Sequence, residues 1–313
     1  MELEKLLAEK DFAAVINNLP EGTFYRFPLC SVHGVPLMKP IADRWKDMEN
    51  VQARPDDILI VTYPKAGTTW MQEIVDSIMN DGEVEKTKRA PTYIRSPFLE
   101  KFAPPPLPSG LDVLNNTPSP RKIKTHLPFE LVPKSFWEQK CKAVYFARNV
   151  KDTAVSYYFF DQMNKTQPDP GTWDQYVEKF LKGEVAWGSW FNHVIGWWNA
   201  KEKHDILYVF YEDMKEDPKR EIRKVMEFLG KNLSEEVLDK VCHHTSFKAM
   251  KENPMTNYST IPAIILDQAR SPFMRKGEVG DWINHFTESQ NKMFDEEYEK
   301  RMKGRDLKFR TTI

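Results

Sequence analysis

Cysteine is scarce: Cys30, Cys141 and Cys242 are widely scattered and form no C-x-x-C pair. That spacing argues against a disulfide framework or a zinc site and fits a reducing compartment, with three buried small side chains as the plain reading. Net charge is nearly absent too, because 45 lysines and arginines face 46 aspartates and glutamates. No overall field therefore draws the protein to nucleic acid or to an anionic membrane, and any anionic ligand must be held locally. Long apolar runs are also missing. The N-terminal MELEKLLAEKDFAAVINNL is interrupted by charge every few residues, does not read as a signal peptide, and nothing later reaches transmembrane length. These absences place the protein in the cytosol.

What is present suffices for a sizeable core: 41% of residues are apolar and 12% aromatic over 313 residues. The expectation is one α/β domain spanning residues 1–313. Four short apolar runs read as buried strands, at Ile58 to Thr62, Ile123 to Thr125, Ala143 to Ala147 and Ile206 to Tyr211. Helical patterns separate most of them, which predicts a parallel sheet covered on both faces. Thr172 and Gln175 have capping-box spacing ahead of an apolar helical pattern ending at Gly183, and Asp217, Pro218 and Gly230 bracket another helix. The proline-rich stretch from Ala103 to Pro120 reads as a long surface loop, and a second loop runs roughly from Asn253 to Gly280. No internal repeat, low-complexity tract or linker is visible.

The strongest local signal is DDILIVTYPKAGTTWMQEIVDSIM, in which a strand runs into Tyr63-Pro64-Lys65-Ala66-Gly67-Thr68-Thr69-Trp70 and then an amphipathic helix. A helix start offers unpaired N–H groups and a positive dipole end, and Gly67 allows close backbone approach, so a phosphate or sulfate fits there. Lys65 adds charge, and Thr68 and Thr69 add hydroxyl donors. The loop is not a Walker A motif, because the leading glycine is missing and the lysine precedes Gly67. By spacing alone, an ordinary strand-to-helix turn with a capping threonine remains an equal alternative.

YPKAGTTW resembles the 5'-phosphosulfate loop of the cytosolic sulfotransferases. Further segments match that family in order: KTHLP at Lys124 to Pro128, ARNVKDTAVSYYFF at Ala147 to Phe160, YEDM at Tyr211 to Met214 and RKGEVGDW at Arg275 to Trp282. NPMTNYSTIP and SPFMRKG resemble its phenol-sulfating branch. The resemblance implies a single α/β domain with a P-loop-kinase-like central parallel sheet flanked by helices. It implies that 3'-phosphoadenosine 5'-phosphosulfate is the donor, with Lys65 to Trp70 at the 5'-phosphosulfate. Arg148, Ser156, Arg275, Lys276 and Gly277 would hold the 3'-phosphate, Trp70, Tyr211, Thr245 and Phe247 would surround the adenine, and Phe273 and Met274 would also bind the donor. The residue types agree, since Arg148 and Arg275 are planar bidentate partners for phosphate and the aromatic faces suit a purine. Core packing is the competing reading of those aromatics.

Lys122, Lys124 and His126 lie two apart, so on a strand all three point to one face. Beside a sulfuryl donor, His126 has the pKa of a general base for an acceptor hydroxyl. The expected reaction is in-line displacement, with His126 taking the acceptor proton, Lys65 serving the bridging oxygen and Lys124 neutralising the sulfuryl oxygens without a metal. The family's acceptor positions match Tyr93, Phe98, Phe160, Tyr258 and, after a one-residue insertion near Lys101, Phe102. Aromatic walls favour a small, flat phenolic acceptor over a sugar or peptide. Ile265 stands where phenol-sulfating relatives tend to carry an aromatic residue. The family's K-x-x-x-T-V-x-x-x-E dimerisation segment corresponds to Ile283 to Lys292, where only Thr287 survives, so a monomer or weak homodimer is expected. Two rival readings remain. One is an ATP-dependent P-loop phosphotransferase with Glu212 and Asp213 holding a metal; the other is a non-catalytic nucleotide or small-ligand binder on the same fold.

Overall fold

Aliphatic and aromatic residues on short segments build the centre of the molecule. β3 (Ile58–Val61), β4 (Lys122–Thr125), β5 (Lys142–Ala147) and β6 (Ile206–Phe210) form one sheet in the order β4-β3-β5-β6, with every neighbouring pair parallel. The computed structural model describes residues 14–16, 18–20 and 22–313; the charge-interrupted N-terminal stretch up to residue 13 lies outside them. Side chains alternate across the strands, and both faces are dry. Leu59, Val61, Tyr145 and Ala147 pack to one side with Trp190, Val194 and Trp197 of α5 (Trp190–Ala200). Ile58, Ile60, Val144 and Phe146 pack to the other, against Met71, Ile74 and Ile78 of α1 (Thr68–Met79). Each such buried aliphatic contributes about 1.5–3 kcal/mol, enough to fix strand register by burial alone.

Crossover helices cover the sheet, as parallel strands require. α3 (Val150–Met163) follows β5, and α6 (Pro218–Phe228) and α7 (Glu235–His244) follow β6. α4 (Trp173–Lys182) starts on a complete capping box between Thr172 and Gln175 and ends at Gly183, φ 76°. Asp217 caps α6, whose first residue is Pro218. The Ala103 to Pro120 stretch departs from the loop expected of it. α2 (Gly110–Asn116) lies inside it, opened by a capping box in which Ser109 and Asp112 bond reciprocally and anchored by buried Val113 and Leu114. The hairpin of β1 (Leu29–Val32) and β2 (Val35–Met38), turning on His33 and Gly34 at φ 48° and 87°, was not expected at all. Residues 253–280 carry no regular helix or strand, as expected.

The chain passes from β3 to β4 on one side and returns to β5 on the other. This order change puts a crevice beyond the carboxyl ends of β3, β4 and β5, where parallel sheets hold ligands.

Candidate active site

The turn leaving β3 is held in an uncommon backbone shape. Tyr63 is buried and its hydroxyl donates to Gly188 O at 2.8 Å, while Lys65 sits at φ 67° and Gly67 at φ 105°. A Cβ on Gly67 would come within 2.7 Å of the Phe146 ring, so the backbone there is pressed against the core. α1 then begins with no side-chain cap, leaving its first N–H groups facing the crevice. Thr68 and Thr62 share a 2.6 Å hydroxyl hydrogen bond.

Lys65 extends between two rings, its Nζ 4.5 Å from the Phe160 centroid and 4.2 Å from that of Phe273. Burial and the nearby charges of Lys124, Arg148 and Arg275 push its ammonium down to about 7, with Asp161 opposing them. Burial likewise lowers Lys124 to about 8, its Nζ lying 4.2 Å over Phe98. So many desolvated cations in one cavity are relieved by a bound anion or by loss of a lysine proton.

His126 follows β4 directly. Its Nδ1 lies 2.9 Å from Thr62 O, and a carbonyl can only accept, so Nδ1 carries the proton and Nε2 keeps its lone pair. Phe98 and Trp187 stand edge-on to the imidazole at 5.1 and 5.2 Å. Burial and the Lys124 charge hold its pKa well below the ordinary range, so the ring is neutral at neutral pH. The buried carboxylate of Glu100 fixes its backbone. One oxygen accepts from His126 N at 2.6 Å and Trp187 Nε1 at 3.1 Å, and the other from the Thr125 hydroxyl at 2.9 Å. Burial pushes Glu100 up to about 7. From below, His193 Nε2 donates to His126 O at 3.0 Å.

Lys122 shares the strand face of Lys124 but not its surroundings. Its ammonium pairs with Asp76 of α1 at 2.7 Å, in a buried network with Arg89 and Arg95, and it stays out of the cavity.

At the far end of the crevice, Arg148 lies 4.4 Å over the Tyr211 ring and donates from Nη2 to Glu278 O at 2.7 Å. Arg275 lies 4.8 Å from the Phe159 centroid and pairs with Asp281 at 2.6 Å. The Nε atoms of both arginines are buried without a protein partner. The loop carrying Arg275 is strapped to α3 by Asp152, which accepts from Gly280 N and Trp282 N at 2.8 and 3.0 Å. Gly277, at φ 68°, is so close to Phe247 that a Cβ would meet its ring at 2.2 Å. Trp70 stands edge-on to Tyr211 at 5.4 Å. Ser156, Thr245 and Met274 also line this end, with Thr245 Oγ1 donating to Val241 O.

At the opposite end, Tyr93, Phe98, Phe102, Phe160 and Tyr258 line the same cavity, of about 480 Å³, and Tyr258 stacks on Phe273 at 3.9 Å. The structure thus brings together all the expected site residues except Ala66, which is wholly buried behind the turn, and Lys276, whose Nζ turns to Asp281 at 2.5 Å. Glu212 and Asp213 do not face the cavity. Glu212 accepts from Asn149 N and Nδ2, and Asp213 pairs with Arg310 at 2.6 Å, so the metal-holding role lacks its acidic pair. Among the described residues no cluster of three or more metal-ligating side chains occurs. Glu100 and Trp187 escaped the sequence reading because their roles come from contacts across 26 and 87 residues of chain. Phe24 and Phe27 also line the cavity and had no signal of their own.

A family model described as a sulfotransferase domain matches residues 55–306. The chain is 56% identical to rat sulfotransferase 1A1 over 290 residues, 93% of this chain and 99% of that protein. To dog sulfotransferase 1B1 it is 54% identical over 290 residues (93% and 98%), and to rat sulfotransferase 1C2 57% over 281 residues (90% and 95%). Among solved structures, retinol dehydratase in complex with androsterone and the inactive cofactor PAP superposes with a TM-score of 0.82 at 28% identity, covering 90% of this chain and 92% of that one. Mouse sulfotransferase SULT7A1 complexed with PAP gives 0.72 at 32% identity, covering 89% and 96%. No helix among the described residues is long and apolar enough to cross a membrane.

Proposed function

Because the chain belongs to the sulfotransferase family, we propose that it moves the sulfuryl group of 3'-phosphoadenosine 5'-phosphosulfate to the hydroxyl of a small phenolic acceptor. The residues fit that donor on their own chemistry. Four cations converge on the crevice, two arginine Nε donors lack partners, and Gly67 and Gly277 leave room where a side chain would not fit. Lys65 and the N–H groups opening α1 would hold the 5'-phosphosulfate. Arg148, Ser156 and Arg275 would hold the 3'-phosphate, and Trp70, Tyr211 and Phe247 the purine. When bound, the donor supplies an activated sulfuryl group on a phosphate leaving group.

The observation that carries the reading is the tautomer of His126. Its Nδ1–H is committed to Thr62 O, so Nε2 can take the proton of an acceptor hydroxyl as the oxygen attacks in line. Lys65 Nζ offers its proton where charge builds on the departing oxygen, and Lys124 Nζ offsets charge on the sulfuryl oxygens. Aromatic side chains around His126 leave a polyol's hydroxyls without partners, which favours a flat phenol. His126→Ala is expected to lower kcat at least a hundredfold while leaving donor affinity within threefold; a near-normal rate removes His126 from this role.

Three unpaired, separated cysteines suit the cytosol as the site of action. We also read the protein as a monomer or weak dimer. In the segment 283–292 Ile283 is exposed, Thr287 caps α8 (Glu288–Met302), and Lys292 pairs within its own helix with Glu296.

A further inference from the structure

The cavity does not end at the rings around His126. Its lining also includes a group of apolar side chains, Phe24, Phe27, Phe102, Ala103, Leu107 and Ile265, with Lys101, Asn164, Thr166 and Gln167 as the polar residues adjoining them in sequence or by contact. Phe24, Ala103, Leu107 and Ile265 belong with Ile16 and Leu19 to a hydrophobic cluster separate from the two clusters on the sheet. Phe27 is buried and meets Phe102 edge-to-face at 5.7 Å. One wall is therefore built by Val15, Ile16, Leu19, Phe24 and Phe27, ahead of the sulfotransferase family match at 55–306.

That wall is fastened in place. Arg26 Nη1 donates to the carbonyls of Asp161, Gln167 and Pro168 at 3.0, 2.9 and 3.1 Å, and Phe27 N donates to Thr166 O at 3.1 Å. These contacts run to the end of α3 and the chain beyond it, the same stretch that supplies Phe160 to the chamber around Lys65. A guanidinium shared among three carbonyls is a costly arrangement to leave unmade, so the segment is held against the cavity rather than laid loosely over it.

We infer that residues Phe24 and Phe27 form an acceptor subsite that selects hydroxylated rings bearing an apolar extension, such as an alkyl chain or a second ring. A single-ring phenol placed with its hydroxyl at His126 leaves water against these apolar side chains, which offer it no hydrogen bonds. An extension para to the hydroxyl displaces that water and buries apolar surface on both sides. Each buried methylene favours binding about fourfold. Phe24 and Phe27 act on acceptor selectivity and touch no reacting atom. This inference deepens the proposed sulfuryl transfer to phenols and rests on it.

The test uses the full chain with the phosphosulfate donor and phenol, 4-ethylphenol, 4-propylphenol and 4-butylphenol as acceptors. For the unaltered protein, kcat/KM should rise about threefold to fourfold with each added methylene. In Phe24→Ala, the ratio of kcat/KM for 4-butylphenol to that for phenol should fall at least tenfold, with the donor KM unmoved. Arg26→Met, which unfastens the segment without touching the apolar wall, should lower the same ratio. Phe24 is partly exposed, so its truncation leaves the fold intact, and a melting curve for each variant separates selectivity from unfolding. If the unaltered protein turns over none of the four phenols, the proposed reaction itself fails. If it turns them over but Phe24→Ala and Arg26→Met leave the ratio within twofold, the subsite is refuted.

Discussion

Lys65 makes a quantitative prediction about nucleotide binding. In the ligand-free site its ammonium is pushed down to about 7 by burial and by the charges of Lys124, Arg148 and Arg275. A phosphate arriving beside it reverses that balance and raises its pKa, so binding takes up a proton wherever the free site has lost one. The sign follows directly. Affinity is greatest below pH 7 and declines as pH rises from the free pKa towards the bound one. With a free pKa of about 7, roughly three-quarters of the sites have lost the proton at pH 7.5, and affinity should drop about tenfold between pH 6 and pH 8 from this group alone. Calorimetric titration with adenosine 3',5'-bisphosphate at pH 7.5, in two buffers of different ionisation enthalpy, measures the uptake directly. At that pH the phosphates of the ligand, with a second pKa of about 6, are already ionised and contribute little. Lys124, lowered to about 8, adds a smaller share, so the comparison with Lys65→Met isolates the group. The unaltered protein should take up about 0.7 proton through Lys65 and about 0.2 more through Lys124, and at least half of that total should be lost in the variant. Equal uptake in both would refute the assignment of Lys65 to the phosphate.

Gly277→Ala puts a Cβ 2.2 Å from the Phe247 ring and places alanine at φ 68°, which by itself costs about 1–2 kcal/mol. The donor KM should rise at least tenfold, read from initial rates at saturating acceptor, and a change under twofold would contradict the close-approach reading. Light scattering at about 10 μM should give the mass of one chain, because residues 283–292 carry Ile283, Glu288 and Lys292 in place of the lysine, valine and glutamate of the family's dimerisation segment; a stable dimer there overturns it.

Much of the fold was legible because it rests on local chemistry. β3, β5 and β6 announce themselves as apolar runs and β4 by the alternation of Ile123 and Thr125 with lysines, and Thr172, Gln175, Gly183, Asp217 and Pro218 carry helix boundaries in their own side chains. The helix from Gly110 to Asn116 was masked by flanking prolines, although Ser109 and Asp112 hold capping-box spacing. The hairpin from Leu29 to Met38 turns on His33-Gly34 rather than an asparagine- or aspartate-glycine pair, so its turn signal was weak. Within the site, the strand-to-helix turn and His126 were readable as contiguous motifs. Lys122 shows the limit. Periodicity placed it beside Lys124, but Asp76 of α1, 46 residues away in sequence, claims its charge. Glu100 and Trp187 were invisible for the same reason.

Glu100 lies on the turn between Phe98 and Phe102, so a single bend both fixes the backbone of the proposed base and lines the cavity beside it. Redesign of that bend for new acceptors will therefore tend to degrade proton removal along with fit. Variation confined to the N-terminal wall is spared this entanglement, because Phe24 and Phe27 share no hydrogen bond or ring contact with Glu100 or His126 that would carry a change to them.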